Sequence, residues 1–341
     1  MVLFGMRSVC LLLLSWLLVG TAPPLPDALK PYVHEGRFDP GDYGWMRGRF
    51  EDARPADKEA TAAISAWLDA CFMTDMAETR AELRAMGIAD PKLERGAFRD
   101  LLCAQVASAP YPIDLHSFSK FEQAVSTGRP VAESYLAATR AAEQAGGAKG
   151  PSLRDALLAR PLREQMLRLG LGWGEGDMQN VPPLPSDTRA VVVSRFAVAL
   201  AETDRSNTQW LKKIIADRGW PKASEIGQDG AREAWLLVQH ADADPAFQLK
   251  ALRLMQPLLA TGDVSKRNYA YLHDRVMLKL IGKQRYATQV TCENGKRIPL
   301  PLEDPEHLDR LRAEVGLEPL PTYMDQIRES AGECPRSVPA D

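Results

Sequence analysis

Histidine changes charge near neutral pH and is the side chain best suited to general acid or base catalysis. His240 stands in Ala234-Trp-Leu-Leu-Val-Gln-His-Ala-Asp-Ala-Asp244, where five apolar residues run directly into Gln239 and His240. A helix that is apolar nearly all round is buried, so its end lies at the core boundary. The imidazole there either satisfies its own last carbonyls or enters a pocket. Two further stretches place polar groups on apolar helix stripes. Asp204, Asn207, Leu211 and Ile214 are spaced three, four and three apart and share one helix face. Tyr271, Asp274, Leu278 and Ile281 share a face in the same way, with Arg275 beside them. Neighbouring helix residues point about 100° apart, so Asp274 and Arg275 must face different partners. Asp274 is expected at the Gln239-His240 end and Arg275 on another acid, Asp204 or Glu164. Each group also has an ordinary structural reading as a cap, an ion pair or a satisfied buried amide. Buried polar groups must nevertheless find partners, and those on several helices would find one another.

The familiar catalytic signatures are missing. There is no G-x-S-x-G elbow, no H-E-x-x-H and no P-loop. Ser117-Phe-Ser-Lys120 fits S-x-x-K in form, but neither companion motif of that enzyme class occurs. Gly170-Leu-Gly-Trp-Gly-Glu-Gly176 is glycine-rich without nucleotide-loop spacing and reads as part of a long surface loop, 170–185. The five histidines, His34, His116, His240, His273 and His307, never fall at metal-ligand spacing. No metal and no cofactor are expected. A net charge of -3 leaves no excess of positive charge to neutralise phosphates, so nucleic acid is not expected as a partner.

The N-terminus predicts export. Arg7 precedes the apolar run from Val9 to Val19, and the small residues Gly20-Thr-Ala22 follow. That is the order of a signal peptide, here assigned to residues 1–28 without a fixed cut site. The run is shorter than the roughly 20 residues that span a bilayer, so no stable membrane span is expected after its removal. The protein is therefore expected in the periplasm or secreted, with an uncleaved N-terminal anchor as the alternative. Cys10 leaves with the signal, and Cys71, Cys103, Cys292 and Cys334 remain. An even set in an oxidising compartment suggests two bridges, for which three pairings exist. Pairing by neighbourhood joins Cys71 to Cys103 and Cys292 to Cys334.

These groups must be positioned by helices. Ile64, Trp67, Leu68 and Cys71 form an amphipathic stripe in a helical stretch over 56–86, and 98–106 and 118–144 read alike. Ala145-Gly-Gly-Ala-Lys-Gly-Pro151 breaks the pattern and separates a helical N-terminal region, 29–150, from a second unit, 151–341. Helices are predicted over 187–218, 231–240, 245–261 and 266–281, with Gly219, Gly262 and Gly282 at their ends and Asp244-Pro245 opening one. Glu293-Asn-Gly-Lys296 lies between strands predicted over 285–291 and 297–302, giving a hairpin near 285–302. In the first strand Tyr286, Thr288 and Val290 would face one side and Ala287 and Gln289 the other. The fold class is mainly α: a multi-helix, orthogonal or bundle-like domain with a small C-terminal β-hairpin, preceded by the helical N-terminal region.

Several blocks carry a resemblance. They are Asp204-x-x-Asn207, Leu211, Ile214-Ile215, Gly219-Trp-Pro221, Gly227, Gln239-His-Ala241, Leu272-x-Asp-Arg-Val276 and Gln284-x-Tyr-Ala-Thr-Gln289. In order and spacing they resemble an uncharacterised bacterial family, domain of unknown function 6624, over roughly residues 155–325. The upstream Glu164-Gln165-x-x-Arg168 resembles that family's Asp-Gln-x-x-Arg element, with Glu replacing Asp. Where the family has Tyr-Gly-Thr-Gln, this chain has Ala287, which speaks against a positive φ there. The resemblance implies no activity. It adds Glu164, Gln165, Arg168 and Gln284 to Asp204, Asn207, Gln239, His240, Asp274, Arg275, Tyr286, Thr288 and Gln289 as residues expected on one cleft. That cleft is read first as a binding site for a small ligand, a peptide or a glycan. The alternative is a cofactor-free hydrolase-like enzyme with His240 as general acid/base, Asp274 orienting it, and Arg275 or Arg168 clamping an anionic group. An enzyme needs His240 within reach of an acid and open to a cavity.

Overall fold

The computed structural model describes residues 24–93, 98–109, 116–147, 150–175 and 183–334. The first 23 residues lie outside it, and with them most of the expected signal segment. Among the described residues no helix is long and apolar enough to cross a membrane.

The helices are α1 (Pro55–Ala85), α2 (Leu101–Ser108), α3 (Phe118–Gly147), α4 (Leu153–Glu175), α5 (Ser186–Arg218), α6 (Ala223–Gln239), α7 (Pro245–Met255) and α8 (Lys266–Ile281). Of these α1, α2, α3, α5 and α8 keep close to their expected bounds, α4 has no counterpart among the predicted helices, and α7 stops short of the expected 261. Before them lies a two-stranded antiparallel pair, β1 (Val33–His34) with β2 (Arg37–Phe38). After them come the hairpin β3 (Val290–Glu293) and β4 (Lys296–Pro299), then α9 (Leu308–Glu314) and α10 (Leu320–Ala331). Local chemistry explains the ends. Asp244 accepts from the Phe247 amide at 3.0 Å and Pro245 opens α7, so one orphan N–H is capped and another is absent. Gly282 closes α8 at a φ of 72°, where a Cβ would be strained.

Helix α5 is the spine. At 33 residues it is about 50 Å long, enough to join separate cores. Val191 and Val198 pack with Trp67, Phe118 and Phe121 of the N-terminal region. Val192, Val193 and Phe196 pack with Ala132 and Leu167 of α3 and α4. Leu211 and Ile215 pack with Leu237, Leu252 and Leu272 of α6, α7 and α8, a core that also takes Leu83 from α1. The two bridges join Cys71 to Cys103, tying α1 to α2, and Cys292 to Cys334, tying the hairpin to the segment after α10.

Three expectations are corrected. Helix α4 runs on through the glycines to Glu175, so 170–175 is helix and not loop. Gly170 serves packing: a Cβ there would sit 2.8 Å from the Phe196 ring and 3.1 Å from that of Tyr135. Only a residue without a side chain lets these helices approach so closely. Helix α6 begins at Ala223, ahead of the expected 231, and bends at Gly227, whose φ is 80°. The first hairpin strand begins at Val290, because 284–289 is a loop in which Ala287 takes a φ of 53° against the expectation. The hairpin turn itself is as expected: Asn294 and Gly295 both have positive φ and Glu293 pairs with Lys296.

Candidate functional site

Helices α4, α5 and α6 cross where their polar residues fall. Glu164 and Arg168 are one turn apart on α4, and Asp204 and Asn207 share a face of α5. His240 is the C-cap of α6, its amide closing on Leu236 O at 3.1 Å. Glu164 is wholly enclosed at the centre. Its Oε2 accepts from Asn207 Nδ2 at 3.0 Å, and its Oε1 from Arg168 Nε at 3.3 Å and Gln165 Nε2 at 3.4 Å. The same Oε1 meets His240 Nδ1. Arg168 reaches on to Asp204 Oδ2 at 2.8 Å, and Asn207 is held in turn by Arg160 at 3.2 Å. The structure therefore brings together Glu164, Gln165, Arg168, Asp204, Asn207 and His240.

The two carboxyls of this cluster are driven in opposite directions. Burial would raise Glu164, but the hydrogen bond and charge of His240, with Arg168 and Asn207, hold it below its ordinary value. Asp204 is pushed up to about 8 by burial, against the pull of Arg168 and with the negative charge of Glu164 adding to the rise. One arginine shared between two acids supports one full negative charge, not two. At neutral pH Glu164 is a carboxylate and Asp204 a neutral acid. Asp204 Oδ1 is buried without a partner.

His240 and Asp204 both line a cavity of about 620 Å³. Its far wall comes from the N-terminal region, through Thr74, Asp75 and Glu78 of α1, Asp100 at the N-cap of α2 and Ala104 within it. Most of its charges are already engaged. Asp75 holds the approach to α2 through the Arg99 and Asp100 amides, at 2.7 and 3.3 Å. Asp244 pairs with Lys212 at 2.7 Å. Asp242 meets Arg275 and Lys279, which carry its carboxyl far below the ordinary value despite burial. Among the described residues that line it, His240 Nε2, the Arg205 guanidinium and the Glu78 carboxylate have no hydrogen-bond or ion-pair partner within the protein. His240 is thus both a helix end and a pocket residue: one nitrogen is fixed by an acid, and the ring stands at a cavity.

The remaining expected residues do not join this cleft. Asp274, fully buried, accepts from the amides of Arg285 (2.8 Å), Tyr286 (3.0 Å) and Thr288 (2.9 Å) and from Thr288 Oγ1 (3.0 Å). It therefore organises the 284–289 loop and does not orient His240; Glu164 takes that place. Gln284 closes the same loop through Gln289 N at 3.0 Å, Gln289 O at 2.8 Å and Leu300 O at 2.9 Å. The buried Arg312 donates to Tyr286 O and Glu318 O, and Tyr323 Oη donates to Thr288 O at 2.9 Å. Gln284, Tyr286, Thr288 and Gln289 are thus parts of a pinned turn, and that turn holds Ala287 at its positive φ. Arg275 does pair with an acid, but with Asp242, so neither it nor Arg168 is free to clamp a ligand anion; Arg205 is. Gln239 has a buried oxygen without a partner and is not part of the cavity wall.

Sequence reasoning missed Asp242, Arg160, Arg205 and Arg312. Asp242 stood in the stretch that drew attention to His240, two residues beyond it, and was the legible one. The arginines lie on helices where any exposed position carries such a residue. Among the described residues no group of three or more His, Cys, Asp or Glu is arranged to hold a metal ion.

No curated protein and no solved structure matches the chain. A family model does match, beginning inside α5 and so later than the expected 155. Glu164, Gln165 and Arg168 on α4 lie before the matched segment, although Glu164 and Arg168 contact its Asp204, Asn207 and His240. The C-terminal part of the chain, residues 191–334, matches the family of unknown function DUF6624.

Proposed function

We propose that this is an exported protein whose cavity at His240 binds a small polar ligand, a peptide or glycan fragment, and hydrolyses it by general acid and base catalysis. The observation that carries the reading is the placement of His240, with Nδ1 on the buried Glu164 and Nε2 unpartnered in a ring that lines the cavity. A histidine whose Nδ1–H is held by a carboxylate presents the Nε2 lone pair, the arrangement a general base needs. In this reading Nε2 takes a proton from a water whose oxygen attacks the acyl or glycosyl carbon. As the bond to the leaving group breaks, its electron pair takes the proton of the neutral Asp204. Proton exchange with water then restores both groups. Arg205 meets an anionic group of the ligand. Export is supported by the two bridges, which persist in oxidising compartments.

The test is a thermal-shift screen of peptide and glycan fragments of the cell envelope, with each stabilising compound then followed by mass spectrometry for cleavage. Cleavage is expected with the wild type, falling about 10²- to 10⁴-fold in His240→Asn while the fold is retained. A compound that binds at His240 and is never cleaved would leave the binding function and remove the enzyme.

A further inference from the structure

A second cavity, of about 270 Å³, lies apart from the acid cluster, and none of its lining residues belongs to the His240 site. Its wall includes Trp220, from the Gly219-Trp-Pro221 block that the proposed chemistry leaves unused, and Trp235 of α6. Both indole Nε1 atoms are buried and neither has a hydrogen-bond partner. An indole N–H can only donate, and a buried one ordinarily finds an acceptor. Two orphan donors on one small cavity are a specific deficit, because each buried donor left unpaired costs about 1–3 kcal/mol. Met255 and Val264 add apolar surface, while the side-chain amides of Gln228 and Asn268 have no partners among the described residues.

We propose that this cavity is a binding site for a single neutral sugar ring. The volume is below the range of pockets for drug-sized ligands, which limits the occupant to about one ring. Two indoles offer flat apolar faces for the C–H faces of a pyranose and N–H groups for its oxygens. The two amides can each donate to and accept from hydroxyls. A charged ligand is disfavoured, because the ionisable groups of the wall are engaged: Arg232 pairs with Glu233 at 2.7 Å, and Asp263 accepts from the Ser224 amide at 3.0 Å and from Thr261 at 3.0 Å. The inference is independent of the acid and base chemistry at His240 and stands if that reading fails.

The experiment is NMR of the indole N–H signals in the full chain labelled at tryptophan, assigned by Trp→Phe variants and titrated with glucose, galactose and N-acetylglucosamine. Saturable shifts of the Trp220 and Trp235 signals are expected with at least one sugar, with the signals of tryptophans outside the cavity unmoved. Gln228→Ala, at an exposed position, should keep the spectrum and weaken binding roughly tenfold, the worth of one good hydrogen bond. Trp235→Phe should do the same by removing one donor. Trp220 and Trp235 signals that stay in place with all three sugars, or shifts that Gln228→Ala leaves equally strong, would overturn the assignment.

Discussion

Asp204→Asn separates a neutral acid from an ionised one at the centre of the site. The amide has nearly the shape of the protonated acid and cannot ionise. Burial raises the wild-type carboxyl from 3.8 to about 8, so the folded state holds this proton far more tightly than the unfolded chain does. Its contribution to stability is therefore complete below pH about 4 and is lost as pH rises through about 8. A displacement of that size sets a ceiling of about 6 kcal/mol. The roughly three pH units between pH 5 and the folded value fall inside the range from pH 5 to pH 9, so up to about 4 kcal/mol is expected there. The assay is chemical denaturation of wild type and variant at intervals from pH 5 to pH 9. Every other group titrates alike in the two proteins, so the difference between their curves isolates Asp204. The variant should gain on the wild type by up to about 4 kcal/mol across that range. Parallel curves would refute the raised value. Such curves would show Asp204 ionised against Arg168 throughout the range, and Asp204 would then not be the proton donor.

Asp274→Ala should cost about 4 kcal/mol, because it strands four donors in the interior; full stability with lost ligand binding would instead make Asp274 a partner of the site. Ala287→Gly should leave the unfolding free energy within about 1 kcal/mol, whereas Ala287→Val should lower it by about 2 kcal/mol, since a β-branched residue is strained at a φ of 53°. Equal effects of the two would show that the turn does not hold that conformation in solution. Replacing Cys292 and Cys334 by serine opens a loop spanning 42 positions, and loop entropy predicts a loss of about 4 kcal/mol in denaturant unfolding; an unchanged midpoint would contradict it.

Much of the architecture was legible because helices are written locally. The stripe of Ile64, Trp67 and Cys71, the Asp244-Pro245 start, the Gly282 stop and the Asn294-Gly295 turn each act through a few neighbouring residues, and the structure follows them. The pairing of Cys71 with Cys103 and of Cys292 with Cys334 was legible because each bridge joins cysteines consecutive in the sequence. Local reading failed where a distant partner decides. The glycines at 170–174 read as a loop because turns favour glycine, yet Gly170 is set against Phe196 and Tyr135. Residues 285–289 read as a strand by alternation, yet Asp274 draws three of the loop's amides to one carboxylate.

The candidate site divides along the same line. The sequence placed Asp204 and Asn207 on one buried helix face and His240 at the end of another helix, and the family resemblance added Glu164 and Arg168 to the same cleft. Periodicity assigns a residue to a face of its own helix, and nothing in it says which faces meet. Tertiary packing decided that Glu164, not Asp274, meets His240, and that Arg205, not Arg275 or Arg168, is left for a ligand. It also raised the far wall of the cavity from α1 and α2. The opposite displacements of Glu164 and Asp204 arise only there, because burial and charge proximity are properties of the assembled interior and not of the chain that enters it.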